Sequence, residues 1–190
     1  MAPSFDSTKR QITKPQNHQM PSPSAFLARH IDALPVGRAL DVACGSGRHA
    51  VLLARRGFVV DAVDVAHSAL VHLQSMARAE RLRMNPIQAD LETFALPHDR
   101  YALVVNIRYL QRSLFAQLKS ALQPRGVIVF ETFLRGQESL GHPRNPAYLL
   151  APGELRSAFA DFDVLAYEEG LITDDGDPAY LARLLARRPA

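Results

Sequence analysis

Between Ala39 and Ala50 the chain reads ALDVACGSGRHA, and Gly45-Ser46-Gly47-Arg48-His49-Ala50 fits the spacing G-x-G-x-x-G/A. Glycines at that spacing permit a tight turn and let a ligand approach the backbone, and a helix that follows offers free N–H groups at its start. That arrangement serves several ligands, the pyrophosphate of a dinucleotide among them. Three carboxylates discriminate between them. Asp64, followed by Val65, stands nineteen residues after Gly45 and is placed to accept hydrogen bonds from both hydroxyls of a ribose. Asp90, followed by Leu91, suits an exocyclic amine such as that of adenine. Either acid alone can equally be a solvated loop residue or a helix cap. Asp41 precedes the first glycine by four residues, where it repels a pyrophosphate and favours a cation. It can also be a buried, hydrogen-bonded acid that orders the loop, and the two roles can coexist. S-adenosylmethionine has ribose and adenine, lacks phosphate and carries a sulfonium and an α-ammonium, so it suits the three acids better than NAD does.

These residues need a scaffold that aligns them, and the hydrophobic pattern supplies one. RALDVA from Arg38 reads as a strand, residues 47–56 as a helix stopped by Gly57, FVVDAVD as a second strand and residues 66–80 as a helix with one apolar face. MNPIQA (84–89) is a weaker third strand that Pro86 assigns to a sheet edge. YALVVNI (101–107) is a fourth strand, residues 110–122 a helix and GVIVFETF a fifth strand. Strands apolar on both faces and alternating with helices imply a parallel sheet covered on both sides. Each of the discriminating acids beyond Asp41 closes a strand, and in such sheets ligands bind at the carboxyl ends. Upstream, PSPSAFLARHIDALP predicts a helix capped by Ser22 or Ser24 with Phe26, Leu27, Ile31 and Leu34 on its apolar stripe. Residues 134–150 read as a long loop of the kind that forms lids. PGELRSAFADF then predicts a helix and FDVLAYEE a strand, while AYLARLLARR fits a strand or a short helix.

At 190 residues, 47% of them hydrophobic and 22% charged, the chain is expected to form one globular domain over 21–190 behind a flexible polar tail, residues 1–20. No apolar run is long enough to span a membrane and no signal-peptide pattern is present, so a cytoplasmic location is expected. A net charge of +3, much of it from Lys9, Arg10 and Lys14, gives no concentrated basic face and argues against nucleic acid. The single cysteine, Cys44, reads as a packing residue. The seven histidines lack metal-ligand spacing, so no metal is predicted. His49 is a candidate base whose place at a helix start favours packing.

ALDVACGSGRHA, VDAVDVA, QADLE, LVVNIRYL and LQPRGVIVFETF together resemble the class I S-adenosylmethionine-dependent methyltransferases, over residues 38–170. The wording DVACGSGR looks most like the small tellurite-resistance-type bacterial enzymes. The resemblance implies a Rossmann-like α/β three-layer sandwich whose seven-stranded, mostly parallel sheet is ordered 3-2-1-4-5-7-6 with the last strand antiparallel. It makes AYLARLLARR a strand. It further implies that Asp41, Ala43, Gly45, Ser46 and Gly47 border the methionine part, Asp64 and Val65 the ribose, and Asp90 and Leu91 the adenine, with Asn106 also against the cofactor. The product is then S-adenosylhomocysteine.

On the acceptor side, Asn106, Arg108 and Tyr109 follow the fourth strand as candidate catalytic residues. Asn106-Ile107-Arg108-Tyr109 keeps the Asn and the aromatic of the Asn/Asp-Pro-Pro-Tyr/Phe motif of amino-directed enzymes but lacks its prolines. Arg108, Tyr109 and Arg112 instead suit an anionic or polar small molecule, or are a solvated helix start. Glu131, Arg135 and Arg144 are candidates for a substrate lid. The expected function is methyl transfer to a small-molecule acceptor such as a thiol, a chalcogen oxyanion or another small polar compound, by a monomer or homodimer. Two alternatives stay open: a non-catalytic S-adenosylmethionine sensor, and an NAD-dependent oxidoreductase.

Overall fold

The computed structural model describes residues 20–174 and 176–190; the predicted tail falls, but for Met20, outside the described residues. Seven strands form one sheet: β1 (Arg38–Val42), β2 (Val59–Asp64), β3 (Met84–Gln88), β4 (Tyr101–Ile107), β5 (Leu122–Phe133), β6 (Asp163–Ile172) and β7 (Ala179–Arg187). Their order is β3-β2-β1-β4-β5-β7-β6. The first five run parallel, and β7 lies antiparallel between β5 and β6. Pro86 sits in β3 at the edge, where its missing N–H removes no ladder bond that a further strand would need.

Helices α1 (Ala25–His30), α2 (Arg48–Arg55) and α3 (His67–Glu80) cover one face of the sheet. Phe26, Leu27, Leu53 and Leu73 pack there against Val60, Leu103 and Val129. The other face is covered by α4 (Phe115–Ala121) and α6 (Glu154–Ala158), whose Leu118 and Leu155 join Phe159, Val104, Ile128 and Phe130. Two apolar layers bury every residue of β4, which is why YALVVNI shows no alternation.

Register aligns the strand ends into one functional edge. Val42 pairs with Val63 on one side and with Asn106 on the other, and Asn106 pairs with Phe130. The residues at or just past the strand ends are therefore Ala43, Asp64, Ala89, Arg108 and the end of β5.

Two segments depart from the sequence expectations. Residues 134–150 are not a structureless loop: they hold α5 (Gln137–Leu140), a 3-10 turn at Pro146–Tyr148 and a bridge from Leu134 to Leu150. Leu149 and Leu150 are fully buried and anchor the segment to the core. The helix predicted over 110–122 is shorter: Arg112–Leu114 form a 3-10 turn, α4 starts at Phe115, and β5 begins at Leu122. AYLARLLARR is a strand, as the resemblance implied. It lies inside the sheet and is buried on both faces, so its leucines cluster at a spacing that helices share.

Candidate functional site

The loop from β1 to α2 is built on left-handed backbone at Ala43 (φ 51°), Gly45 (φ 54°) and Gly47 (φ 82°). The Gly47 N–H donates to the Cys44 carbonyl at 2.9 Å, closing the turn. The two glycines are needed for different reasons. A Cβ on Gly47 would lie 2.3 Å from Leu73 Cδ1 in α3, whereas one on Gly45 would meet no atom within 4 Å. Gly47 therefore lets α2 and α3 pack, and Gly45 leaves the loop's outer side open.

The three acids each hold backbone. Asp41 is 1% exposed, and its Oδ2 accepts the Ala50 N–H at 3.0 Å. Burial pushes its carboxyl up to about 7, opposed by that hydrogen bond and by Arg48. Asp64 accepts from Gly45 N–H through Oδ2 at 2.7 Å and from Ala66 N–H through Oδ1 at 2.8 Å. Asp90 Oδ1 accepts the Glu92 N–H at 2.9 Å. Asp64 and Asp90 line a cavity of about 240 Å³ together with Ala43, Val65, Ala89, Leu91 and Tyr109. Asp41 lies beneath the loop instead of on that wall, which is the loop-ordering role; Ser46 is exposed on the loop. Cys44 is buried in the core, where desolvation raises its thiol well above the ordinary range.

A second cavity, about 470 Å³, opens beyond Tyr109 and is lined by Arg108, Tyr109, Leu110, Thr132, Phe133, His142, Pro143 and Tyr148. Arg108 enters it from a left-handed backbone (φ 64°), its N–H given to the Glu131 carbonyl at 2.7 Å. Its guanidinium lies 4.6 Å over the Phe133 ring, with Nε on Glu131 Oε1 at 2.9 Å. A polar cavity of about 550 Å³ shares Arg108 and Phe133 and is bounded by Ser22–Ala25, Arg48 and Asp174.

Several expected acceptor residues are placed elsewhere. Asn106 is buried and lines neither of the cavities that share Tyr109; its Nδ2 donates to the Tyr109 carbonyl at 2.8 Å and fixes the turn. Glu131 is not part of a lid. It is fully buried in β5, where Oε2 accepts from Arg183 Nε at 2.8 Å and from Ser24 Oγ at 2.9 Å. Arg135 and Arg144 are exposed and line none of these cavities. Arg112 is occupied by Glu154 and by the carbonyls of Ala147 and Leu149. His49 is buried with Nε2 accepting the Ser24 N–H at 3.3 Å, and burial depresses its imidazole to about 3. It packs and does not exchange protons near neutrality.

Sequence reasoning passed over Arg183 and His142, and read Ser24 only as the helix cap that it is. Arg183 and Glu131 are register partners in adjacent buried strands, so a cation inside the apolar part of AYLARLLARR and a lone anion in VIVFETF were the signal. His142 had none, since only the path of the 134–150 segment brings it to the cavity. Among the described residues no cluster of His, Cys, Asp and Glu can hold a metal ion, and no helix is long and apolar enough to cross a membrane.

Known proteins share this organisation. A family model described as a methyltransferase domain matches residues 39–126, from β1 into β5. A ubiquinone biosynthesis O-methyltransferase from Rickettsia akari is 27% identical over 173 residues, covering 80% of this chain and 67% of that protein. The crystal structure of TehB from Haemophilus influenzae superposes with a TM-score of 0.74 at 19% identity, over 85% of this chain; the chain spans only 61% of that one. An S-adenosylmethionine-dependent methyltransferase from Mesorhizobium loti gives 0.70 at 20% identity, over 87% and 98% of the two chains. At these identities the structural likeness is one of fold. The family match adds that residues 39–126 carry a methyltransferase domain.

Proposed function

We propose that this methyltransferase seats the adenosine part of S-adenosylmethionine in the 240 Å³ cavity and methylates a small-molecule acceptor in the 470 Å³ cavity. The observation that carries this reading is that the two cavities adjoin at Tyr109, on the carboxyl edge of the sheet. The residues fit the cofactor. Each Asp64 oxygen accepts one backbone N–H and keeps a further lone pair for a ribose hydroxyl. Asp90 and Leu91 border the adenine end, Val65 flanks the ribose, and the open side of Gly45, with Ala43, Ser46 and Gly47, faces the methionine end. Asp41 lies below that loop and offers negative charge to the cationic end. Bound S-adenosylmethionine supplies an electrophilic methyl group; the protein's part is alignment and exclusion of water. The O-methyltransferase name of the Rickettsia akari relative supports an oxygen acceptor over a thiol or a chalcogen oxyanion.

Calorimetric titration of the folded chain with S-adenosylmethionine and with NADH tests the cofactor half. Binding of the first and not the second is expected; the reverse overturns the reading. Asp64→Ala loses the ribose contacts and the Gly45 anchor, and should weaken binding about a hundredfold. An unchanged affinity would remove Asp64 from the site.

A further inference from the structure

We propose that His142 is the general base for methyl transfer to the hydroxyl of a small aromatic acceptor, a phenol, held in the 470 Å³ cavity. This rests on the methyltransferase reading above and names its acceptor class and its base.

The cavity has the walls for a flat ring. Tyr109, Phe133 and Tyr148 give it three aromatic sides, completed by Leu110 and Pro143. Arg108 places its guanidinium carbon 4.6 Å from the centre of the Phe133 ring, with Nε bound to the buried Glu131, so its cation is balanced in place beside that wall. The chemistry then needs a proton acceptor. As the phenol oxygen forms its bond to the methyl carbon, the sulfur–methyl bond breaks and its electron pair passes to sulfur, which becomes a neutral thioether. The hydroxyl proton must leave the acceptor oxygen, and a positioned imidazole takes it.

Among the described residues, His142 is the one imidazole lining this cavity or the adjoining one. The other histidine near the glycine loop, His49, has its ring nitrogen committed to the Ser24 N–H. Asp64 and Asp90 are engaged with backbone N–H groups in the adjoining cavity. The titratable groups that face the cavity with His142 are Arg108, Tyr109 and Tyr148, with Glu131 behind Arg108.

His142 is also held in position. Buried Gln137 donates Nε2 to its carbonyl at 3.2 Å while accepting the Tyr180 N–H at 2.9 Å, which ties the turn to β7. Five residues on, Arg112 donates to the Ala147 and Leu149 carbonyls at 2.9 Å each. The segment carrying the imidazole is thus fixed at one end to β7 and at the other to the turn that carries Arg112.

The test compares the full-length wild type with His142→Gln, an exposed substitution that leaves the core untouched. S-adenosylmethionine should bind both with the same affinity by calorimetry, which also shows that the variant folds. Turnover of phenol, a protonated acceptor at pH 8, should fall about a hundredfold or more in the variant. Turnover of 4-nitrophenol, already ionised at that pH, should change little, and added imidazole should restore phenol turnover. A second readout needs no turnover: at pH 6.5 the absorbance of bound 4-nitrophenol should show more phenolate on the wild type than on the variant. Equal losses for both acceptors, or no loss, or identical bound spectra, overturn the role of His142. A wild type that binds S-adenosylmethionine and methylates neither phenol overturns the acceptor class, whereas failure to bind S-adenosylmethionine overturns the methyltransferase reading beneath it.

Discussion

Replacing Asp41 by Asn should flatten the pH dependence of stability between pH 5.5 and 8. Burial raises this carboxyl from 3.8 to about 7 in the folded chain, so the folded state binds the proton more tightly than the unfolded state does. The stability linked to that proton is complete below pH 4 and is lost as pH rises through 7. A shift of this size corresponds to about 4 kcal/mol in total, of which about 2 kcal/mol is lost between pH 5.5 and 8. Asparagine keeps an oxygen for the Ala50 N–H and removes the ionisation. Urea melts of both proteins without cofactor measure the effect as a difference of differences. His49, depressed to about 3, works in the opposite sense below pH 6.5, but it is common to both proteins and cancels. The carboxylates lowered by ion pairs, such as Asp61 and Asp174, stay ionised throughout this window. Parallel stability curves for wild type and variant would refute the reasoning. The same ionisation links to ligand binding: a cationic ligand near Asp41 favours its charged form, so uptake of S-adenosylmethionine at pH 7 should release protons. Asp41→Asn should abolish that release, as read by calorimetry in buffers of different ionisation enthalpy.

Gly47→Ala should destabilise the fold by a few kcal/mol, since it adds a Cβ 2.3 Å from Leu73 at a φ of 82°; thermal melting measures this, and Leu73→Ala in the same chain should recover only the packing part. Glu131→Gln takes a fully buried counter-charge from Arg183 and Arg108 and should cost about 3 kcal/mol, because it leaves the buried Arg183 guanidinium balanced from its Nη1 side by the more exposed Glu168 and Asp174. Denaturant melts that show less than 1 kcal/mol would mean that Asp174 and Glu168 balance Arg183 without it.

What could be read from the sequence was local in the chain. Strand and helix assignments held wherever one period dominated, as in FVVDAVD or residues 66–80, and Pro86 marked an edge strand without any partner in view. Boundaries failed where a neighbour decided them: β5 starts at Leu122, before Pro124 and Gly126, because it continues alongside β4. A Cβ on Gly126 would lie 2.8 Å from the Gln123 carbonyl of its own strand and 2.9 Å from the Tyr101 carbonyl of β4, and the second constraint is invisible in the sequence. The 134–150 segment read as loop because its prolines and glycines are conspicuous, whereas Leu149 and Leu150, which pin it, look like any apolar pair.

The same divide runs through the site. Asp41, Asp64 and Asp90 were legible because each sits at a fixed distance from a strand end, and strand ends share an edge. Each turns out to hold a backbone N–H of the turn beside it, at Ala50, Gly45 or Glu92. Ordering a loop and facing a ligand are therefore not competing explanations for these carboxylates. A loop that must present open backbone to a ligand cannot satisfy its own N–H groups by regular structure, and an acid with a second oxygen can serve both needs. Glu131 shows the opposite case: its position at a strand end resembles theirs, but β7 brings Arg183 against it, and a buried cation takes precedence over any ligand. Strand-end spacing identifies where a carboxylate stands; only the neighbouring strand decides whether its charge remains available for chemistry.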